Sequence, residues 1–405
     1  MNSNDFINSY INAKIISTMK RIYLDNASTT PIDEKVLSTM LSYLKETAGN
    51  PSSLHYEGRL AKGAIERSRT KIAEIIGAKS NEIIFTSGGT ESDSLAILGI
   101  ARANQKNGKH IIVSCIEHKA ILNSCKKLEK EGFEITYLDV DNDGLISLEQ
   151  LKSSIKPATT LVSIMYANNE IGTVQPIKQI AKIIKDSKIS APIFHSDACQ
   201  AAGSLLIDIN KLGVDALTIS SSKIYGPKGV GCLYITDKNQ IEPITFGGDQ
   251  ENHIRPGTEN VEAIVGLAEA LSISENKRQA ENQRLQKIRD YFLSKILKNI
   301  NNVSINGGVN NRLPNNINVS IRGVEGESLV LLLDNKGVAC STGSACSSAD
   351  LSPSHVLMQI GTPLELAHCS VRFTLGRHTQ IKDIDDTISI LTECVKKIRS
   401  MSSIK

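Results

Sequence analysis

Over the first two thirds of the chain, short apolar runs alternate with longer amphipathic stretches. The runs "EIIFTS" (82–87), "HIIVSC" (110–115), "EITYLDV" (134–140), "TLVSIMYA" (160–167), "IFHSDA" (193–198) and "DALTIS" (215–220) are short and rich in β-branched residues, so they predict strands. "GCLYIT" (231–236) adds a further strand. Between them, "AKGAIERSRTKIAEIIG" (61–77), "KAILNSCKKLEKEG" (119–132) and "IKQIAKIIKDSK" (177–188) carry the helical period. Strands alternating with helices predict an α/β fold with a mostly parallel sheet covered on both faces. Ligands of such sheets bind beyond the carboxyl ends of the strands.

The pattern changes after about Gly266. A long polar helix (266–300) leads into "NNINVSI" (315–321), "GESLVLLLDNKG" (326–337), a Gly/Ser/Cys loop and a final helix. This predicts a smaller α+β domain. The expected division is a large domain over 33–275 and a small domain made of 1–32 and 276–405.

Composition narrows the functional classes. The chain has 405 residues, 22% of them charged and 40% apolar, with a net charge of +3. So small a charge, with no block of like residues, argues against nucleic acid or an anionic membrane as partner. No apolar run reaches transmembrane length. Eight Cys without a CxxC pair, in a chain this long, point to a reducing compartment, and the cytoplasm is the expected location. Residues 1–20 lack the plan of a secretory signal; Ile7, Ile11 and Ile15 form only a weak stripe, which leaves organellar targeting open.

"DVDNDGLISLEQ" (139–150) imitates a calcium loop, but its last position is Gln150 where a bidentate carboxylate is needed. It is read as a polar turn before a helix.

The strand ends carry the candidate chemistry. Ser87, Gly88, Gly89 and Thr90 follow one strand and open a helix, which makes either an anion site or simply a tight, capped turn. His118 follows a second strand, and Asn168 and Asn169 a third. Asp197 ends a fourth, where a carboxylate is costly unless a cation or donor meets it. Lys223, in "SSSK", follows a fifth; a partly desolvated lysine there can have a lowered pKa and react with carbonyls. Together these residues suit pyridoxal phosphate. Lys223 would hold its aldehyde as a Schiff base, Asp197 its ring nitrogen and His118 its ring face. Gly89, Thr90, Ser220 and Ser222 would bind its phosphate.

The ordered stretches "YLDNASTTP", "GNPSSLHYEGR", "TSGGTES", "EHKA", "NNEIGTVQPI", "SDACQAAG", "KIYGPKG", "RPGTEN", "STGSACSS" and "VRFTLGR" resemble the NifS/IscS-type cysteine desulfurases, a class V aminotransferase branch, from Ile22 onward. The resemblance implies the type I fold of pyridoxal phosphate enzymes, with a seven-stranded sheet in the large domain. It assigns Lys223 as the Schiff-base lysine and His118 as the stacking, proton-moving histidine. Asp197 and Gln200 meet the ring nitrogen and the phenolic oxygen. Asn169 touches cofactor and substrate, and Arg372 clamps the substrate carboxylate. Thr258 reaches the phosphate of a neighbouring subunit, which implies a homodimer. Cys346 is the nucleophile that takes sulfur from L-cysteine, leaving L-alanine and a persulfide. The sulfur passes to an acceptor protein, either an iron–sulfur scaffold or a tRNA-thiolation carrier. Cys340 is read as a bystander. Selenocysteine lyase and a non-catalytic cofactor-binding subunit are the alternatives.

Two departures from the family pattern stand out. Ser222 replaces the histidine usual before the lysine, and serine reaches less far and cannot become cationic. The chain also stops soon after "KKIRSMSSIK", which puts tail-mediated docking to a scaffold in doubt.

Overall fold

The computed structural model describes residues 21–46, 48–236, 241–342 and 353–401. The predicted strands assemble into one seven-stranded sheet. These are β2 (Ile83–Thr86), β3 (His110–Ser114), β4 (Glu134–Leu138), β5 (Thr159–Ser163), β6 (Ile193–Asp197), β7 (Ala216–Ser220) and β8 (Gly231–Ile235). Their order is β2-β8-β7-β6-β5-β3-β4. β8 runs antiparallel to both its neighbours, and the other strands are parallel to one another.

The strands are apolar on both faces because both faces are covered. Ile83, Phe85, Ile112 and Val162 point into one core with Ile65, Ile72 and Leu267. Ile84, Ile111, Val113 and Leu161 point into a second with Leu95, Ile100 and Leu128. The period of two thus splits each strand between two layers.

The rest of the chain builds another core. β1 (Ile22–Tyr23) pairs in parallel with β11 (Val338–Ala339), and β9 (Val303–Ile305), β10 (Asn316–Ile321) and β12 (Ser370–Thr374) form an antiparallel sheet ordered β12-β10-β9. Leu24, Phe292, Val319, Leu329, Phe373 and Leu391 pack between this sheet and the helices Gly326–Asn335 and Ile381–Met401. The Phe292 and Phe373 rings meet edge to face at 5.1 Å.

The helix Val261–Asn299 joins the two parts. The Asn260 side chain caps it by accepting the Ala263 amide at 3.1 Å. Its first turns, through Ile273, pack in the core under the large sheet, and Leu285, Ile288, Phe292 and Ile296 pack in the other core. One continuous helix therefore fixes the two cores to each other.

The acidic stretch that imitates a calcium loop is a hydrogen-bonded turn. Asp141 accepts the amides of Asp143 and Leu145, both at 2.9 Å, and the helix Leu148–Ser154 follows.

Phe292 is fully buried. Phe292→Ala is expected to cost about 3–5 kcal/mol. Guanidinium unfolding would read this as a lower midpoint at unchanged slope.

Candidate active site

The carboxyl ends of the central strands open onto a cavity of about 550 Å³. Gly89, Thr90, His118, Asn169, Asp197, Gln200, Ser220, Ser222, Lys223 and Arg372 all line it. Thr258 does not; it lines a separate depression with Phe246 and Arg255. Cys346 lies outside the described residues, as do residues 1–20. Both flanks of 343–352 are at the cavity: Ser341 exchanges backbone hydrogen bonds with Arg372, and Pro353 and Ser354 are in the wall.

β2 delivers the small-residue loop. Gly88 sits at φ 147°, and the helix beginning at Gly89 makes its first internal bond from the Ser92 amide to the Gly88 carbonyl, at 3.1 Å. The amides of Gly89 and Thr90 thus precede the helical ladder at the cavity wall. A Cβ on Gly89 would lie 2.7 Å from Cys199 Sγ, so only glycine lets the loop approach β6 and β7 so closely.

β6 delivers Asp197, buried and accepting the Cys199 amide at 2.8 Å. β7 ends at Ser220, and a turn of 3₁₀ helix (Ser221–Lys223) carries the lysine. Lys223 Nζ donates to the Ser28 carbonyl. The next turn is strained: Tyr225 sits at φ 64°, in the left-handed region. Several contacts hold it there. Its amide donates to Thr30 Oγ1 at 2.8 Å, its hydroxyl accepts the Arg377 amide at 2.7 Å, and the Arg377 guanidinium lies 4.0 Å over its ring.

His118 caps the helix Lys119–Glu129, its Nδ1 accepting the Ala120 amide at 3.2 Å. The neutral ring therefore carries its proton on Nε2. Gln200 donates to the Ala27 carbonyl at 2.9 Å. The Asn169 carbonyl accepts from Arg372 Nη1 at 2.8 Å. Arg372 also meets the Asp25 carboxylate at 2.9 Å and the Ser28 hydroxyl at 2.8 Å.

Several buried ionisable groups surround these residues. Burial pushes Glu117 up to about 8, although Ser114 and the Met165 amide donate to it. Burial lifts Glu170 to about 7; its partner is the Ser354 hydroxyl. Burial and the nearby Asp197 raise Asp93 well above the carboxylate range. Burial drops His195, between Ser163 and Thr218, to about 3, so it is neutral. Cys340 packs against the small-sheet core, and burial pushes its thiol far up, which suits a bystander.

The sequence reading had no role for Asp25, Ser28, Asp93, Glu170 or Ser354. The largely polar run "DNASTT" between apolar Leu24 and Ile32 was the available signal for the first two. A carboxylate amid the apolar positions of "ESDSLAIL" was the signal for Asp93.

The chain belongs to the class V aminotransferase family, whose profile matches residues 22–386. It is 52% identical to the cysteine desulfurase IscS of Dictyoglomus turgidum, over 96% of this chain and 98% of the relative. It is 46% identical to a probable mitochondrial cysteine desulfurase of Dictyostelium discoideum, over 99% and 91%. A solved NifS-like protein superposes with a TM-score of 0.87 at 34% identity, over 93% and 100%. Pyridoxal phosphate is the cofactor of this family.

The cavity's own chemistry fits such a group. It offers one primary amine at a strand end, a buried carboxylate facing the same space, and hydroxyls beside the amides of a helix start. A Cβ on Gly88 would meet nothing within 4 Å, so open space lies beside those amides.

Glu117 gives a signed pH test. Its folded pKa of about 8 exceeds the ordinary 4.5, so its contribution is full below about 4.5 and is lost as pH rises through 8. Glu117→Gln removes that loss. Denaturation at pH 5.5 and at pH 8.5 is expected to show the variant gaining on the wild type at the higher pH. An equal difference at both pH values would contradict the assignment.

Proposed function

We propose that this protein is a cysteine desulfurase that moves sulfur from L-cysteine to Cys346, releasing L-alanine. The observation that carries the reading is the meeting of Lys223, Asp197, His118 and Arg372 around one cavity. The relatives named cysteine desulfurases, matched over nearly their whole length, support it.

Bound pyridoxal phosphate supplies an aldehyde that condenses with amines and a ring that accepts electron density. The chain's residues supply the rest. Lys223 would hold the aldehyde, Asp197 would meet the ring nitrogen and Gln200 the phenolic oxygen. The Gly89 and Thr90 amides and the Ser220 and Ser222 hydroxyls would take the phosphate. Ser222, its Oγ 3.4 Å from Ser220 Oγ, adds a hydroxyl at the position before the lysine. His118, in the cavity wall, would cover the ring. Arg372 and Asn169 orient the substrate, and Lys223 or His118 Nε2 moves its α-proton.

The Cys346 thiolate attacks the substrate sulfur. The sulfur–sulfur bond forms, the carbon–sulfur bond breaks with its electron pair going to carbon, and protonation completes the alanine methyl. The net change is thiol plus cysteine to persulfide plus alanine, with no external oxidant. The flanks of 343–352 at the cavity wall support delivery of the thiolate from that segment.

The two-domain division at 33–275, with 1–32 and 276–405 forming the small domain, belongs to the same proposal; the separate cores support it. So does a homodimer in which Thr258 reaches the partner's phosphate. Its position outside the cavity, beside the exposed Phe246, favours that role. The persulfide then serves an acceptor protein of iron–sulfur assembly or tRNA thiolation. We place the enzyme in the cytoplasm. Organellar import through residues 1–20 is the second reading, favoured by the mitochondrial relative. No helix among the described residues is long and apolar enough to cross a membrane.

The test is alanine and sulfide release from L-cysteine with a reductant. Wild type is expected to make both products in equal amount. Cys346→Ala is expected to make neither while keeping the visible absorbance of the bound cofactor. Full activity in Cys346→Ala would overturn the reading.

A further inference from the structure

The arginine of the cavity already has a carboxylate. Arg372 Nη2 donates to Asp25 Oδ1 at 2.9 Å and to Ser28 Oγ at 2.8 Å, and Nη1 donates to the Asn169 carbonyl at 2.8 Å. The Ser28 hydroxyl donates in turn to the same Asp25 oxygen at 2.9 Å. The guanidinium side chain is 3% exposed and the Asp25 side chain 19%. One nitrogen is left over: Arg372 Nε is buried and has no acceptor among the described residues. A buried N–H without an acceptor is costly and calls for an explanation; at a cavity wall, a ligand atom is one.

The backbone puts this pair together. The Thr374 amide donates to the Leu24 carbonyl at 2.7 Å, which lays the start of the 25–30 segment along the end of β12. Arg372, two residues earlier on β12, is thereby set beside Asp25 and Ser28. The Ser28 carbonyl at the same place accepts Lys223 Nζ.

We propose that Asp25 and Ser28 are positioning residues for the substrate carboxylate. They occupy Nη2 and fix the plane of the guanidinium, leaving Nε and the second N–H of Nη1 to donate to a carboxylate oxygen. Asp25 also competes with the ligand, since two carboxylates then share one cation. That competition has a use. L-Cysteine and L-alanine carry the same α-carboxylate, so this contact holds product as tightly as substrate. A permanent counter-ion keeps it moderate, and it keeps the ligand-free arginine from being a buried unpaired charge.

The inference rests on the reading of Arg372 as the carboxylate clamp, and the experiment separates the two. The probe is L-alanine, added to the holoenzyme during thermal unfolding, together with KM and kcat for L-cysteine. Asp25→Asn keeps an oxygen for Nη2 and removes the charge. Its ligand-free Tm is expected to fall, and its alanine-induced rise in Tm to be about twice that of the wild type. Its KM is expected to be about threefold lower, with kcat changing less than KM. A purely structural brace between β12 and the 25–30 segment would lower Tm equally with and without alanine. That result, with an unchanged KM, would overturn the proposal.

Should Asp25→Asn not fold, Ser28→Ala decides. It keeps both charges but frees the guanidinium to turn, so its alanine-induced shift is expected to fall below the wild-type value; a wild-type shift there overturns the proposal. Arg372→Gln is the control for the underlying reading and is expected to lose the alanine shift. If it keeps that shift, Arg372 is not the clamp and both the reading and the inference fail. If it loses the shift while Asp25→Asn behaves as wild type, the inference alone fails.

Discussion

Lys223 and Arg372 must both stand at one cavity without either being left as a bare buried charge. Removing a partner from a buried ion pair typically costs about 3–5 kcal/mol, so this requirement constrains the surrounding chain strongly. The short segment from Asp25 to Thr30 meets much of it. The Ser28 carbonyl takes Lys223 Nζ, while Asp25 and the Ser28 hydroxyl take Arg372. Thr30 pins the backbone on both sides of the lysine, its amide donating to the Ser222 carbonyl at 2.8 Å and its Oγ1 accepting the Tyr225 amide at 2.8 Å. The segment thus ties the end of β7 to β12.

The larger architecture keeps that geometry rigid. The parallel strands bring Asp197 and the lysine turn to the carboxyl end of the sheet, and the antiparallel β10–β12 pair brings Arg372 from the other core. The helix Val261–Asn299 packs into both cores and limits how far the two groups of residues can drift. Beside the lysine turn, backbone strain falls on Tyr225, two residues after Lys223. Tyr225 holds an unfavourable φ only because Thr30 and Arg377 bond it and Arg377 covers its ring.

Most of the large sheet was legible from periodicity, because strands buried on both faces leave continuous apolar runs of strand length. The lysine and Asp197 were legible for a related reason: a charge at the end of such a run is costly enough to need a function or a partner. β1 and β11 were not, since two residues carry no period. β12 reads "SVRFT", an alternation that suggests one wet face, yet all five residues are buried because Asp25 and Ser28 satisfy Arg372. Those partners stand 347 and 344 residues away in sequence, a separation that no local pattern reveals. Arg372 itself came only from resemblance to the family, and the buried acids Glu117 and Glu170 had no signal beyond their place beside known motifs.

The central claim is that Lys223 is the amine to which the cofactor is attached. Borohydride reduction of the holoenzyme, followed by peptide mapping with mass spectrometry, tests it directly. The account predicts a single reduced pyridoxyl adduct, on the peptide containing Lys223. An adduct on Lys119, which lines the same cavity, or on Lys228 just beyond the turn, would contradict it.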